Sequence, residues 1–224
     1  MSHSQRRFIR HLMIAAAAIA ISAAIWMLRG SRSAVENAST ATAYAGIAFL
    51  ALSLALGPRN LLRSRPNPVS TDLRRDIGIW AGSMGVLHTI LGLQVHMGGS
   101  LRRYFLPSAA AEGEASAATL AFVAANYMGL VAALLLVILL AISSDVALRA
   151  LGVPAWKRIQ RSNYFIIALV AVHGVFYQLL EKRRPELVML FGAMLAAVLV
   201  FQVAGVRRRR QMAGSRVATP ASPE

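Results

Sequence analysis

His88 and His173 each stand near the middle of a long apolar stretch. An imidazole inside a membrane span is costly to place and usually marks a cofactor, an ion path or a proton relay. A neutral imidazole binds a metal through one ring nitrogen, while the other nitrogen makes the hydrogen bond that orients it. His88 lies 11 residues after Ile77, where its stretch begins, and His173 lies 10 after Asn163. At 1.5 Å per residue those depths are ~17 Å and ~15 Å, effectively level on parallel helices. Level imidazoles can take the two axial faces of one porphyrin iron, and the spacing predicts a single bis-His haem b. The competing reading is a non-redox transport or assembly protein whose two histidines hydrogen-bond within the bundle.

A second pattern surrounds His88. Gly78, Gly82, Gly85, Thr89, Gly92 and His96 recur at spacings of four and three, forming one helical stripe. Gly85 and Gly92 lie three and four residues from His88, where missing side chains let a flat macrocycle approach the backbone. Close helix packing through small residues is the alternative use of such a stripe. His96 falls eight residues beyond His88, ~12 Å further along, and reads as an interfacial residue. His11 and His3 lie at the start of the chain and give no metal spacing. The chain contains no cysteine, which removes disulfides, cysteine-bound clusters, thiolate haem and covalent haem attachment.

These side chains need a membrane scaffold. Of 224 residues 57% are hydrophobic and 15% charged, with a mean hydropathy of +0.55, the balance of an integral membrane protein. Six apolar segments follow one another: Phe8–Leu28, Ala43–Leu61, Ile77–Met97, Leu120–Ile142, Asn163–Leu180 and Leu187–Val206. Each is near the ~20 residues a helix needs to cross a bilayer. The predicted fold is an all-α bundle of six transmembrane helices over residues 1–206. Residues 207–224 follow as a basic tail, expected to be disordered and cytoplasmic. Alternating strand patterning is absent, which removes a transmembrane barrel. Phe8–Leu28 has a basic front like a signal peptide, but no clean cleavage site follows it, and a retained anchor is expected.

The formal charge of +15 would suggest nucleic acid in a soluble protein; here it follows the loops. The N-terminus, the second and fourth loops and the tail carry 17 of the 24 basic residues. The other seven are Arg29, Arg32, Arg102, Arg103, Lys182, Arg183 and Arg184. The positive-inside rule then places both termini in the cytoplasm of a multi-pass protein, expected in a bacterial inner membrane, with lipid and no nucleic acid as partner.

Four segments resemble the ferric reductase-like transmembrane family. RRDIGIWAGSMGVLH (Arg74–His88) is similar to its third helix, NYMGLVAALLLVILLAISSD (Asn126–Asp145) to its fourth, and WKRIQRSNYFIIALVAVH (Trp156–His173) to its fifth. LALGPRN (Leu54–Asn60) matches the end of its second, so residues 43–184 are covered. Larger members hold two stacked haems through two histidines on each of the third and fifth helices. The positions 14 and 13 residues before His88 and His173 are Arg74 and Gln160, which do not ligate haem iron. The resemblance therefore implies one haem, in the outer half of the membrane.

It also implies an electron-transfer subunit of an oxidoreductase. Quinol or a separate flavin reductase would donate, and a periplasmic protein, ferric iron or oxygen would accept at the outer face. Single-haem relatives hold flavin at the inner place. By that analogy a flavin or quinone would sit near Arg74, Arg75, Trp156, Lys157 and Arg161. Residues 207–224 are too few for a nucleotide-binding domain, and no glycine-rich dinucleotide fingerprint occurs.

Overall fold

Each apolar segment is the body of a helix in the computed structural model, which describes residues 2–30, 32–64, 72–95, 97–106, 117–181 and 183–217. Helix α1 spans His3–Arg29 and opens on a capping box: Ser2 Oγ accepts from the Gln5 amide, and Gln5 Oε1 accepts from the Ser2 amide. Helix α2 spans Ala34–Leu62, with Ser33 as its N-cap, and α3 spans Asp72–Val95. A 3₁₀ turn at Met97–Gly99 leads into the short α4, Leu101–Phe105. Then come α5 (Ala117–Ala141), α6 (Asp145–Gln160), α7 (Asn163–Leu180) and α8 (Pro185–Val217). No strand occurs among the described residues. Six helical segments are long and apolar enough to span a membrane: α1, α2, α3, α5, the α6–α7 stretch and α8.

Helix α2 is the central element, packed against α1, α3 and α8, while α5 joins α7 to α3. The core it builds is hydrocarbon. Leu54, Ile77, Leu139 and Ile166 are buried together with Phe49 and Leu50. In a bilayer such contacts act through packing, because lipid tails are as apolar as leucine. Polar side chains add register: Gln202 Nε2 of α8 donates to the Leu54 carbonyl at 2.9 Å.

The start of α1 and the last part of α8 lie at one end of the bundle. Asp76, wholly buried at the start of α3, is 3.0 Å from Arg10 Nη2, 3.4 Å from Arg7 Nε and 3.5 Å from His11 Nε2 of α1. Arg75 Nη1 reaches Asp145 Oδ1 at 2.5 Å and so ties in α6. At the same end Arg208 of α8 meets Ser64 Oγ, and Gly205 packs on Pro58. We call this the arginine-rich end.

Two expectations change. Helix α2 begins nine residues before Ala43, because Asn37, Ser39, Thr40 and Thr42 are buried rather than wet. The fourth loop is a helix, α6, broken where Gly152 takes φ 72° just before Pro154. Helix α8 continues past Val206 into the basic segment and runs to Val217. Residues 108–116, His96, Lys182 and residues 218–224 lie outside the described residues.

Candidate haem site

Helices α3 and α7 bring His88 and His173 to a ring-centroid distance of 6.3 Å, with the planes at 74°. Neither ring is oriented by its own helix. His88 Nδ1 is 2.9 Å from the Ser39 carbonyl of α2, with Ser39 Oγ at 3.2 Å, and His173 Nδ1 is 2.8 Å from the Ala125 carbonyl of α5. A carbonyl only accepts, so each Nδ1 carries the proton and donates it. The lone pair is left on each Nε2, the tautomer of a metal-binding histidine with its outer hydrogen bond in place. No hydrogen bond to either Nε2 occurs among the described residues.

Both rings line a cavity of about 560 Å³ enclosed by α2, α3, α5 and α7. Its middle is walled by small or apolar residues, among them Gly46, Gly85, Ala132, Leu136 and Val170. Its end away from the arginine-rich end is polar. Arg29 Nη1 and Arg183 Nη1 both donate to Thr40 Oγ1, at 2.6 and 2.7 Å. Arg29 Nε also donates to Asn37 Oδ1 at 3.1 Å, and Arg183 Nη2 pairs with Glu181 at 2.5 Å. Two guanidinium groups, only 6% and 14% exposed, thus converge at the mouth of an apolar chamber.

The glycine stripe serves two purposes. A methyl on Gly92 would lie 3.8 Å from His88 Cε1, beside the ring. Gly85 lines the cavity, yet the tip of Leu136 lies 2.7 Å from where its Cβ would be, and Leu140 fills the space over Gly82 in the same way. The lower stripe is helix packing. The upper stripe opens beside the histidine.

Toward the arginine-rich end the space between α3 and α7 is the packed core of Leu54, Ile77, Leu139 and Ile166. Gln160 Oε1 accepts from Asn163 Nδ2 at 3.3 Å, and the Arg74 carbonyl accepts from Ser53 Oγ at 3.4 Å. Trp156 Nε1 donates to the Ile142 carbonyl, and Lys157 and Arg161 are exposed. Nothing in these contacts forms a shared binding place for Arg74, Arg75, Trp156, Lys157 and Arg161. At the opposite end Arg102 and Arg103 are exposed, while Arg184 donates to the Leu28 carbonyl.

Sequence reasoning did not single out Ser39, Ala125, Arg29, Gly129 or Tyr177. The available signal was polarity in the wrong place: Asn37, Ser39, Thr40 and Thr42 directly precede the second apolar segment, and Asn126 interrupts the fourth. Asn126 Oδ1 accepts from Tyr177 Oη at 2.7 Å, and the Tyr177 ring lies 4.8 Å from that of His173. No group of three or more His, Asp or Glu side chains able to hold a bare metal ion occurs among the described residues.

Comparison with curated proteins and with solved structures found no match. A family model described as ferric reductase like transmembrane component matches residues 42–171, from within α2 to within α7. The match spans more than half of the 224 residues, includes His88 and stops two residues short of His173. The chain belongs to the ferric reductase-like transmembrane family, whose members are membrane electron-transfer components.

Proposed function

We propose that the chain is a membrane b-type cytochrome with one bis-His haem, held by His88 and His173. The observation that carries this reading is the imidazole pair itself. Two imidazole nitrogens about 2 Å from one metal ion on opposite sides put their ring centroids roughly 6 Å apart. The observed separation is 6.3 Å. Two protein ligands are too few for a bare transition-metal ion, which takes three or four from the protein. They suffice where a macrocycle supplies the equatorial nitrogens.

The rest of the chamber fits the same group. Gly92 keeps a side chain away from the His88 ring, Gly85 lines the chamber beneath the tip of Leu136, and the apolar wall suits a porphyrin face. Arg29 and Arg183, fixed on Thr40, offer paired donors at the polar end, where propionates would be neutralised. The chemistry that bound haem supplies here is a one-electron couple. The protein's part is to hold both imidazoles in the Nδ1–H tautomer, exclude water and set the potential through those bonds.

Electrons are proposed to enter from the arginine-rich, cytoplasmic end and leave from the other. The donor is quinol or a separate flavin reductase. The packed core beneath His88 supports a donor working from the inner surface rather than a flavin or quinone buried beside α3. The acceptor meets the outer end, near Arg102, Arg103 and Arg184. The test is a reduced-minus-oxidised spectrum and a pyridine haemochrome assay on purified protein, with one b-type haem per chain expected. A chain without haem after expression in haem-replete cells would leave the histidines structural and the non-redox reading in place.

A further inference from the structure

The contact that sets His173 apart from His88 lies on α5. A Cβ built on Gly129 would stand 2.8 Å from both Nδ1 and Cε1 of His173 and 3.6 Å from its Cγ. Carbon atoms do not approach that closely, so any other residue at 129 must move the ring. The ring has little freedom to move. Its Nδ1 donates to the Ala125 carbonyl one helical turn away on α5, and the Tyr177 ring lies 4.8 Å from it. Tyr177 is itself held through Asn126, also on α5. The same turn of α5 therefore supplies the hydrogen-bond acceptor, the bare backbone surface and the anchor of the neighbouring ring.

We propose that Gly129 is a positioning residue for His173: by lacking a side chain it lets the imidazole lie against α5 with Nδ1 on the Ala125 carbonyl and Nε2 turned to the cavity. His88 has no equivalent constraint: a Cβ on Gly92 would stand 3.8 Å from its ring, an ordinary contact. The two sides of the site are thus built differently. His88 rests on a serine that offers two acceptors, and His173 rests on a glycine that offers space. The inference rests on the haem reading for its consequence, but the contact itself can be measured apart from any cofactor.

The experiment is a double-substitution cycle in purified full-length protein. In the wild-type background Gly129→Ala is expected to lower the melting temperature by roughly 5 °C, the effect of overpacking a membrane core. In a His173→Ala background the same change is expected to cost nothing, because the ring it strikes is gone. An equal loss in both backgrounds overturns the proposal, since the methyl would then be clashing with something else. In haem-loaded membranes Gly129→Ala is expected to show a high-spin fraction and a shifted midpoint potential. Gly205→Ala, whose added methyl would strike Pro58 instead, is expected to lose stability with an unchanged spectrum. A low-spin spectrum and wild-type potential in Gly129→Ala also overturn the proposal. If the wild type carries no haem, the functional reading falls while the stability cycle still decides the contact.

Discussion

The tautomer of each histidine is the smallest feature on which the proposed function depends. His88 and His173 commit their Nδ1 protons to carbonyls of α2 and α5, so each has one nitrogen left for a metal. Replacing either by alanine is expected to abolish the low-spin haem spectrum, with a high-spin remnant where the other ligand survives. His11→Ala is expected to leave that spectrum unchanged, because His11 contacts Asp76 and Trp80 instead; a normal spectrum in either cavity-histidine variant sinks the pairing. Arg29→Ala and Arg183→Ala each remove a charge-assisted donor worth about 1.5–3 kcal/mol. Each is therefore expected to speed haem loss roughly ten- to hundredfold, read as transfer to an apo-globin acceptor. An unaltered transfer rate in both would remove the propionate role. The histidine pair was legible in the sequence because depth along a helix follows from residue counting. The acceptors on Ser39 and Ala125 were not, because backbone carbonyls carry no sequence signature and only packing brings them to the rings.

Among the elements, α2 shows how polarity misleads. Residues 34–42 read as a wet loop because Asn37, Ser39, Thr40 and Thr42 are polar, yet all four are buried. Each has a partner: Arg29 for Asn37 and Thr40, His88 for Ser39, and the Ala38 carbonyl for Thr42. Asn37, Ser39 and Thr40 thus serve groups that line the cavity, whereas Thr42 bonds back to its own helix. Helix α6 was hidden for a different reason. Gly152 and Pro154 are ordinary breakers, so the segment reads as a loop, but the chain passes through them as two helical pieces joined at a left-handed glycine. Gly152→Ala forces a β-carbon into that conformation and is expected to cost about 1–2 kcal/mol in thermal unfolding. Gly192→Ala, inside α8 with open space where its Cβ would go, is expected to be neutral or to stabilise by up to about 1 kcal/mol. Equal effects at the two positions would mean that the α6 break is not maintained in the membrane.

Across the whole molecule, the proposed direction of electron flow rests on charge and depth together. His88 is 16 residues from the start of α3 and seven from its end, and His173 is 10 from the start of α7 and seven from its end. At 1.5 Å per residue the pair lies ~10 Å from the outer ends of these helices and ~15–24 Å from their arginine-rich ends. Under the proposed orientation, an oxidant at the outer end would be close to the site, and a reductant at the inner end would be separated from it by the Leu54–Ile77–Ile166 core. The basic residues at that inner end also favour an acidic donor surface and a cytoplasmic location for both termini. In vesicles with the arginine-rich end outward, a flavin reductase with NADPH, or a quinol, is expected to reduce the haem, whereas NADPH with this 224-residue chain alone is not. A membrane-impermeant oxidant is expected to reoxidise the haem rapidly only in vesicles of the opposite orientation. Protease protection of tags at the two termini reports the orientation in the same preparation. Rapid NADPH-driven reduction by the chain alone would remove the separate donor, and equal reoxidation in both orientations would remove the outer placement of the His88–His173 pair.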